Sequence, residues 1–113
     1  MGLAHLEKEG KLVRPVVPEG CTHNAHIYYI RIPNLEDFKR VCEVCSSRKI
    51  SVFTHYVPLH QSKGGNKYAR THGDLTETIS CFQQLVRLPI WVGLTEENIQ
   101  SVVQGIADGF VKA

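Results

Sequence analysis

His55, Tyr56 and His60 lie within six residues of one another, at the exit of a β-rich run. An imidazole can donate, accept or carry a proton, and a phenol can hold a hydroxyl or a phosphate oxygen. The polar run Ser62-Lys63-Gly64-Gly65-Asn66-Lys67-Tyr68 follows directly. Nowhere else does the chain gather so much usable chemistry at the end of one element. The set suits acid–base work or the holding of an anionic ligand. It is not a complete catalytic set, because no carboxylate or nucleophile stands beside these residues in sequence. A lone histidine at a strand end is more commonly a hydrogen-bonded structural residue, and on residue types alone that reading comes first.

Two further constellations carry a chemical reading. Cys42-x-x-Cys45, with His23 and His26 upstream, offers four zinc-ligand types. The two cysteines fall on the same helical face as Phe38 and Val41, where a thiol behaves as a small apolar group, so core packing is the stronger reading. A redox role would want the first cysteine at a helix N-terminus, and Cys42 lies two turns in. Residues 62–67 resemble a phosphate loop only loosely. The glycines are adjacent and Lys67 precedes Tyr68 rather than Ser or Thr. A flexible surface loop is the plainer reading, whose amides and two lysines could still touch an anion.

The elements that must position these residues follow from pattern. The 113 residues suit one domain. With 42% hydrophobic residues, the chain can bury a core without covalent staples. A net charge of +2, with the basic residues scattered, implies neither nucleic acid nor membrane as partner. No signal peptide or spanning segment is evident, and the four cysteines read as free thiols in a cytoplasmic, reducing setting. Residues 3–12 read as the last turns of a helix stopped at Gly10, with no cap ahead of it, which suggests a truncated parent. Residues 13–20 read as a linker, with Pro18 second and Gly20 fourth in a turn.

Strands are expected at 26–32 and 50–57, and a short one at 86–89 at a sheet edge, because Pro89 cannot donate. Between the first two runs a helix from Asn34 to about Arg48, with Leu35, Phe38, Val41, Cys42 and Cys45 on one face. A polar loop spans 60–73. Asp74 and Glu77 form a capping box for the next helix, and Thr95 caps the last one. The order defines an α+β fold: a small mixed or antiparallel sheet of about three strands, with helices mainly on one face.

Three runs then carry a resemblance: residues 23–30 (HNAHIYYI), 50–60 (ISVFTHYVPLH) and 85–90 (LVRLPI). Together they resemble the C-terminal part of sugar aminotransferases of the DegT/DnrJ type, and within them the enterobacterial members that act on a dTDP-linked 4-keto-6-deoxyhexose. The likeness runs from about Leu6 to Phe110. It implies the small domain of a fold-type I, pyridoxal-phosphate-dependent homodimer that moves an amino group from glutamate to a nucleotide-linked keto sugar. Residues 1–20 would then be the truncated interdomain helix and linker, and 21–113 the small domain. The cofactor lysine, the carboxylate on the ring nitrogen and the phosphate cup belong to the family's large domain, so this chain is expected to bind no cofactor and to be inactive alone. The implied substrate-binding residues are His55, Tyr56 and His60, with Lys63 and Tyr68 in support; Lys63 departs from the family pattern, which has proline. The rival classes are an interaction module that docks on a separate large domain, and a zinc-binding module.

Overall fold

A computed structural model describes residues 2–111. Helix α1 (Ala4–Lys8) comes first, then strand β1 (Tyr28–Arg31) and helix α2 (Leu35–Ser47). Strand β2 (Phe53–Thr54) leads into a 3-10 turn (Leu59–Gln61) and the short helix α3 (Lys63–Tyr68). Helix α4 (Thr76–Gln84), strand β3 (Leu85–Leu88) and helix α5 (Glu96–Gly109) complete the chain. The three strands form one antiparallel sheet in the order β1-β3-β2, and the α+β class is as expected.

The expected edge strand is the central one. Tyr28 pairs with Leu88 and Arg31 with Leu85, while Phe53 and Thr54 pair with Arg87 and Val86 from the other side. The ladder stops at Leu88, so the missing donor of Pro89 falls outside it. The run expected to be a strand over 50–57 forms only a two-residue strand. Its start is spent on the end of α2, where the Ile50 amide donates to the Cys45 carbonyl at 2.9 Å. Its finish turns away at Pro58 into the 3-10 turn.

Alternation along the strands separates two faces. Ile30, Val86 and Leu88 point into the core with Leu6, Leu12, Ile32, Val41, Cys45, Ile106 and Phe110. Tyr29, Arg87 and Phe53 form a row across the opposite face. Residues 13–20 are not wholly a linker: Val13 exchanges both backbone hydrogen bonds with Arg31, at 2.8 and 2.9 Å, and covers the free edge of β1. The turn that follows is shifted by one residue. The Cys21 amide donates to the Pro18 carbonyl, which puts Gly20, at φ +77°, in third position.

Helix ends follow the caps in two cases and not in the third. Asn34 Oδ1 accepts from the Glu36 and Asp37 amides, and Thr95 and Asn98 form a reciprocal capping box. The Asp74–Glu77 box does not form. Leu75 occupies the cap of α4 with φ +53° and no side-chain bond, and Asp74 Oδ1 accepts from the Thr76 amide instead. Leu35, expected on the buried stripe of α2, is 57% exposed. Helices α2 and α5 approach closely through two glycines. A Cβ at Gly109 would lie 2.5 Å from Val41 Cα, and one at Gly105 would lie 2.7 Å from Ile50 Cδ1. Arg48, the residue that caps the C-terminus of α2, also pairs with Asp108 of α5. No helix is long and apolar enough to cross a membrane among the described residues.

Candidate functional site

The site forms where β2 ends. One residue past Thr54, His55 and Tyr56 leave the sheet with ring centroids 5.3 Å apart and planes inclined by 57°. The Arg87 guanidinium lies 5.4 Å from the Tyr56 ring centroid, a cation–π contact that holds a ring otherwise 75% exposed. Pro58 is buried and starts the 3-10 turn, whose Gln61 amide donates back to the Pro58 carbonyl at 2.8 Å. The expected structureless loop is therefore folded. Ser62 caps α3: its Oγ donates to the Leu59 carbonyl at 2.8 Å and accepts from the Gly65 amide at 2.9 Å. A Cβ at Gly65 would fall 1.7 Å from the Leu59 carbonyl oxygen, whereas one at Gly64 would meet nothing within 4 Å. The two adjacent glycines thus have different jobs.

Two hollows share this turn. The first, about 500 Å³, has His55, Tyr56, Val57, Pro58 and Leu59 on one wall. Its other wall is Glu77, Thr78, Cys81 and Phe82 of α4, with Leu85. The second, about 580 Å³, is lined by His60, Arg70, Thr71 and His72, closed by Leu59, Leu75 and Thr78. Leu59 and Thr78 line both, so the hollows adjoin. The five expected residues are divided by this arrangement. His55 and Tyr56 share the first hollow and His60 belongs to the second, while Lys63 and Tyr68 line neither. Lys67 Nζ sits 5.0 Å from the Tyr68 ring centroid on the exposed side of α3.

Sequence reasoning missed Arg70, His72, Cys81 and Arg87 as site residues, and read Glu77 only as a cap. A signal for the first two was present. From Ser51 to Gly73 there is no Asp or Glu, while Lys63, Lys67, Arg70 and three histidines fall there. Arg87 had no such signal, because its meeting with Tyr56 depends on strand pairing.

The thiols of α2 are core groups. Cys45 is fully buried, and burial pushes its thiol up to about 11; burial also raises Cys42. His23 Nδ1 instead meets the Ala25 amide at 2.9 Å, and among the described residues no three His, Cys, Asp or Glu side chains gather as metal ligands.

Pyridoxal phosphate requires a lysine, a ring-nitrogen carboxylate and a phosphate cup together. Among the described residues, no lysine lines either hollow beside β2. Lys11 is paired with Glu9, 2.7 Å away, and Lys8, Lys39, Lys49, Lys63 and Lys67 are exposed. These residues do not fit the cofactor.

The chain belongs to the DegT/DnrJ/EryC1/StrS aminotransferase family, whose model matches residues 2–107. Three solved structures place the fold. DesV of S. venezuelae, in complex with a ketimine intermediate, superposes with a TM-score of 0.82 at 23% identity, over 98% of this chain and 30% of that one. The aminotransferase TlmJ of Streptoalloteichus hindustanus gives 0.78 at 18% identity, over 95% and 28%. NtdA of Bacillus subtilis with bound cofactor PMP gives 0.75 at 22% identity, over 95% and 25%. The chain thus spans between a quarter and a third of the length of these relatives.

Proposed function

We propose that this chain is the small domain of a nucleotide-sugar aminotransferase and supplies one wall of its sugar-nucleotide site. The full enzyme transfers the amino group of glutamate to a dTDP-linked 4-keto-6-deoxyhexose, uses pyridoxal phosphate, and works as a cytoplasmic homodimer. Residues 21–113 are that domain, and residues 1–20 are the end of an interdomain helix and a connecting segment that pairs with β1 at Val13. His55, Tyr56 and His60 face the substrate, with Lys63 and Tyr68 at the rim.

The observation that carries this reading is the meeting of His55 and Tyr56 on one wall of a hollow at the end of β2. Tyr56 offers a hydroxyl for the sugar, and Arg87 behind it fixes the ring. The chemistry of amino transfer is supplied by the cofactor when bound, and the residues that would hold it belong to a large domain. Family membership and the share of each relative that is covered support this division.

The test combines two assays on the purified chain. Incubation with pyridoxal phosphate followed by borohydride should leave no stoichiometric covalent adduct, and glutamate with the keto sugar should give no product. Co-expression with the lysine-bearing large domain of a family member should restore amino transfer. A stoichiometric adduct, or turnover by the chain alone, overturns the reading.

A further inference from the structure

The opposite end of the sheet carries a groove of its own. Leu85, at the start of β3, lines the hollow beside Tyr56, while Pro89, one residue past the finish of β3, lines another. Two hollows adjoin at that far end, of about 330 and 490 Å³, within the size range of small-ligand sites. Ile50, seated against Gly105 of α5, and Ser101 line both, which makes one continuous groove. Trp91 walls one end of it and is half exposed. No histidine, thiol or carboxylate lines it, so the groove is equipped to bind and not to react.

Three observations give the groove its chemistry. The first is a set of neutral polar groups on α5, each engaged on one side only. Gln100 Nε2 donates to Glu96 and Gln104 Nε2 donates to Asp108, which leaves both amide oxygens to accept. Asn98 Oδ1 accepts from Thr95, which leaves its amide hydrogens to donate. Ser101 Oγ donates to the Glu97 carbonyl and keeps its lone pairs. Interleaved donors and acceptors of this kind match a ring of hydroxyls, each of which does both. The second is the Trp91 indole, a large flat apolar face of the sort that covers the C–H face of a pyranose.

The third is Lys49. It follows the cap of α2 at φ +59°, where helices ordinarily place glycine, and the Ile50 amide closes onto the Cys45 carbonyl at 2.9 Å. A side chain is strained in that conformation, yet this chain carries a lysine there. Arg48 beside it is held by Asp108, whereas Lys49 pairs with no carboxylate among the described residues. Lys49 is therefore the free cation of the groove.

We propose that this groove binds a hexose bearing one anionic group, a carboxylate or a phosphate. The sugar ring lies on Trp91, its hydroxyls meet the side chains of α5, and its anion meets Lys49. The site is separate from the sugar wall at the other end of β3 and does not depend on it.

The experiment is a titration of the whole chain with glucuronate and with glucose-6-phosphate, against glucose and inorganic phosphate as the two halves of the ligand. Trp91 is the only tryptophan of the chain, so its emission reports the groove directly, with calorimetry alongside. At least one anionic hexose should shift the emission saturably, and which of them does so names the anion. Glucose should bind about tenfold more weakly, the loss expected for one charge-assisted hydrogen bond. Lys49→Gly should leave Tm unchanged or raised and weaken the anionic hexose to the level of glucose, while Lys49→Arg keeps it within about twofold. Gln104→Ala, on the exposed face of α5, should weaken all the hexoses alike. No saturable change with either anionic hexose at millimolar ligand overturns the proposal. So does inorganic phosphate that binds as tightly as glucose-6-phosphate, which would mean that the ring is not read. Lys39→Ala removes the same charge from α2, and a loss there equal to that of Lys49→Gly marks a net-charge effect and overturns the site.

Discussion

At the scale of single residues, the sharpest contrast is between two neighbours. Gly64 and Gly65 are indistinguishable as a loop signal, yet only Gly65 lies against the Leu59 carbonyl. Gly65→Ala should open the 3-10 turn and lower stability by about 1–3 kcal/mol, as overpacking does. Gly64→Ala should be neutral or stabilising by a few tenths of a kcal/mol, since alanine orders the unfolded chain more. Paired thermal melts check this, and equal losses would contradict the packing described for α3. The thiols give a second contrast. Cys45 is buried and its thiol is raised to about 11, while Cys21 is exposed. A thiol reagent at pH 8 should label Cys21 first and Cys45 only on unfolding, because the thiolate is the reactive form. Peptide mapping after timed labelling reads the order. Residue types put His55 and Tyr56 at the exit of a strand, and the structure sets both on one wall of a hollow there. They could not place Lys63 and Tyr68, whose direction depends on a helix that two glycines concealed.

At the scale of elements, local signals succeeded wherever the decisive contact was local. Asn34 and Thr95 cap their helices because each bond closes within three residues. The position of β3 was not legible, because strand order is set by long-range pairing. Pro89 misdirected the reading: the proline stands one residue past the ladder and costs it no bond. Leu75 at the cap of α4 was equally hidden, since a leucine at φ +53° violates local preference and is held there by its surroundings. The α2–α5 contact offers two tests. Gly109→Ala would put a methyl against the Val41 backbone, and should cost about 1–3 kcal/mol, or on the order of 4–8 °C in Tm per kcal/mol. Asp108 is held below the usual carboxylate range by hydrogen bonds from Gln104 and then Arg48. A depressed folded pKa means that its stabilisation is present above about pH 4 and is lost as pH falls through the folded value. Asp108→Asn should therefore lower Tm at pH 7 and converge on the parent near pH 2. A Tm gap that persists unchanged at pH 2 would assign the effect to packing instead.

At the scale of the whole molecule, the core lies on one side of a three-stranded sheet, and much apolar surface lies outside it. Tyr56, Leu59, Tyr68 and Val92 are all at least 75% exposed. The large domain proposed above would cover such surface wherever it is contiguous. Light scattering should show concentration-dependent association of the chain, reduced by the double change Leu59→Ser and Val92→Ser. A strictly monomeric parent at high concentration would count against docking. The central claim is narrower than docking: that His55 and Tyr56 form a wall for a nucleotide-linked sugar. The most direct measurement is backbone and side-chain shift mapping of the chain during titration with a dTDP-linked 6-deoxyhexose. Saturable shifts centred on residues 55–60, lost in Tyr56→Ala and retained in Lys39→Ala, are the expected result. Shifts centred elsewhere, or none at millimolar ligand, would contradict it.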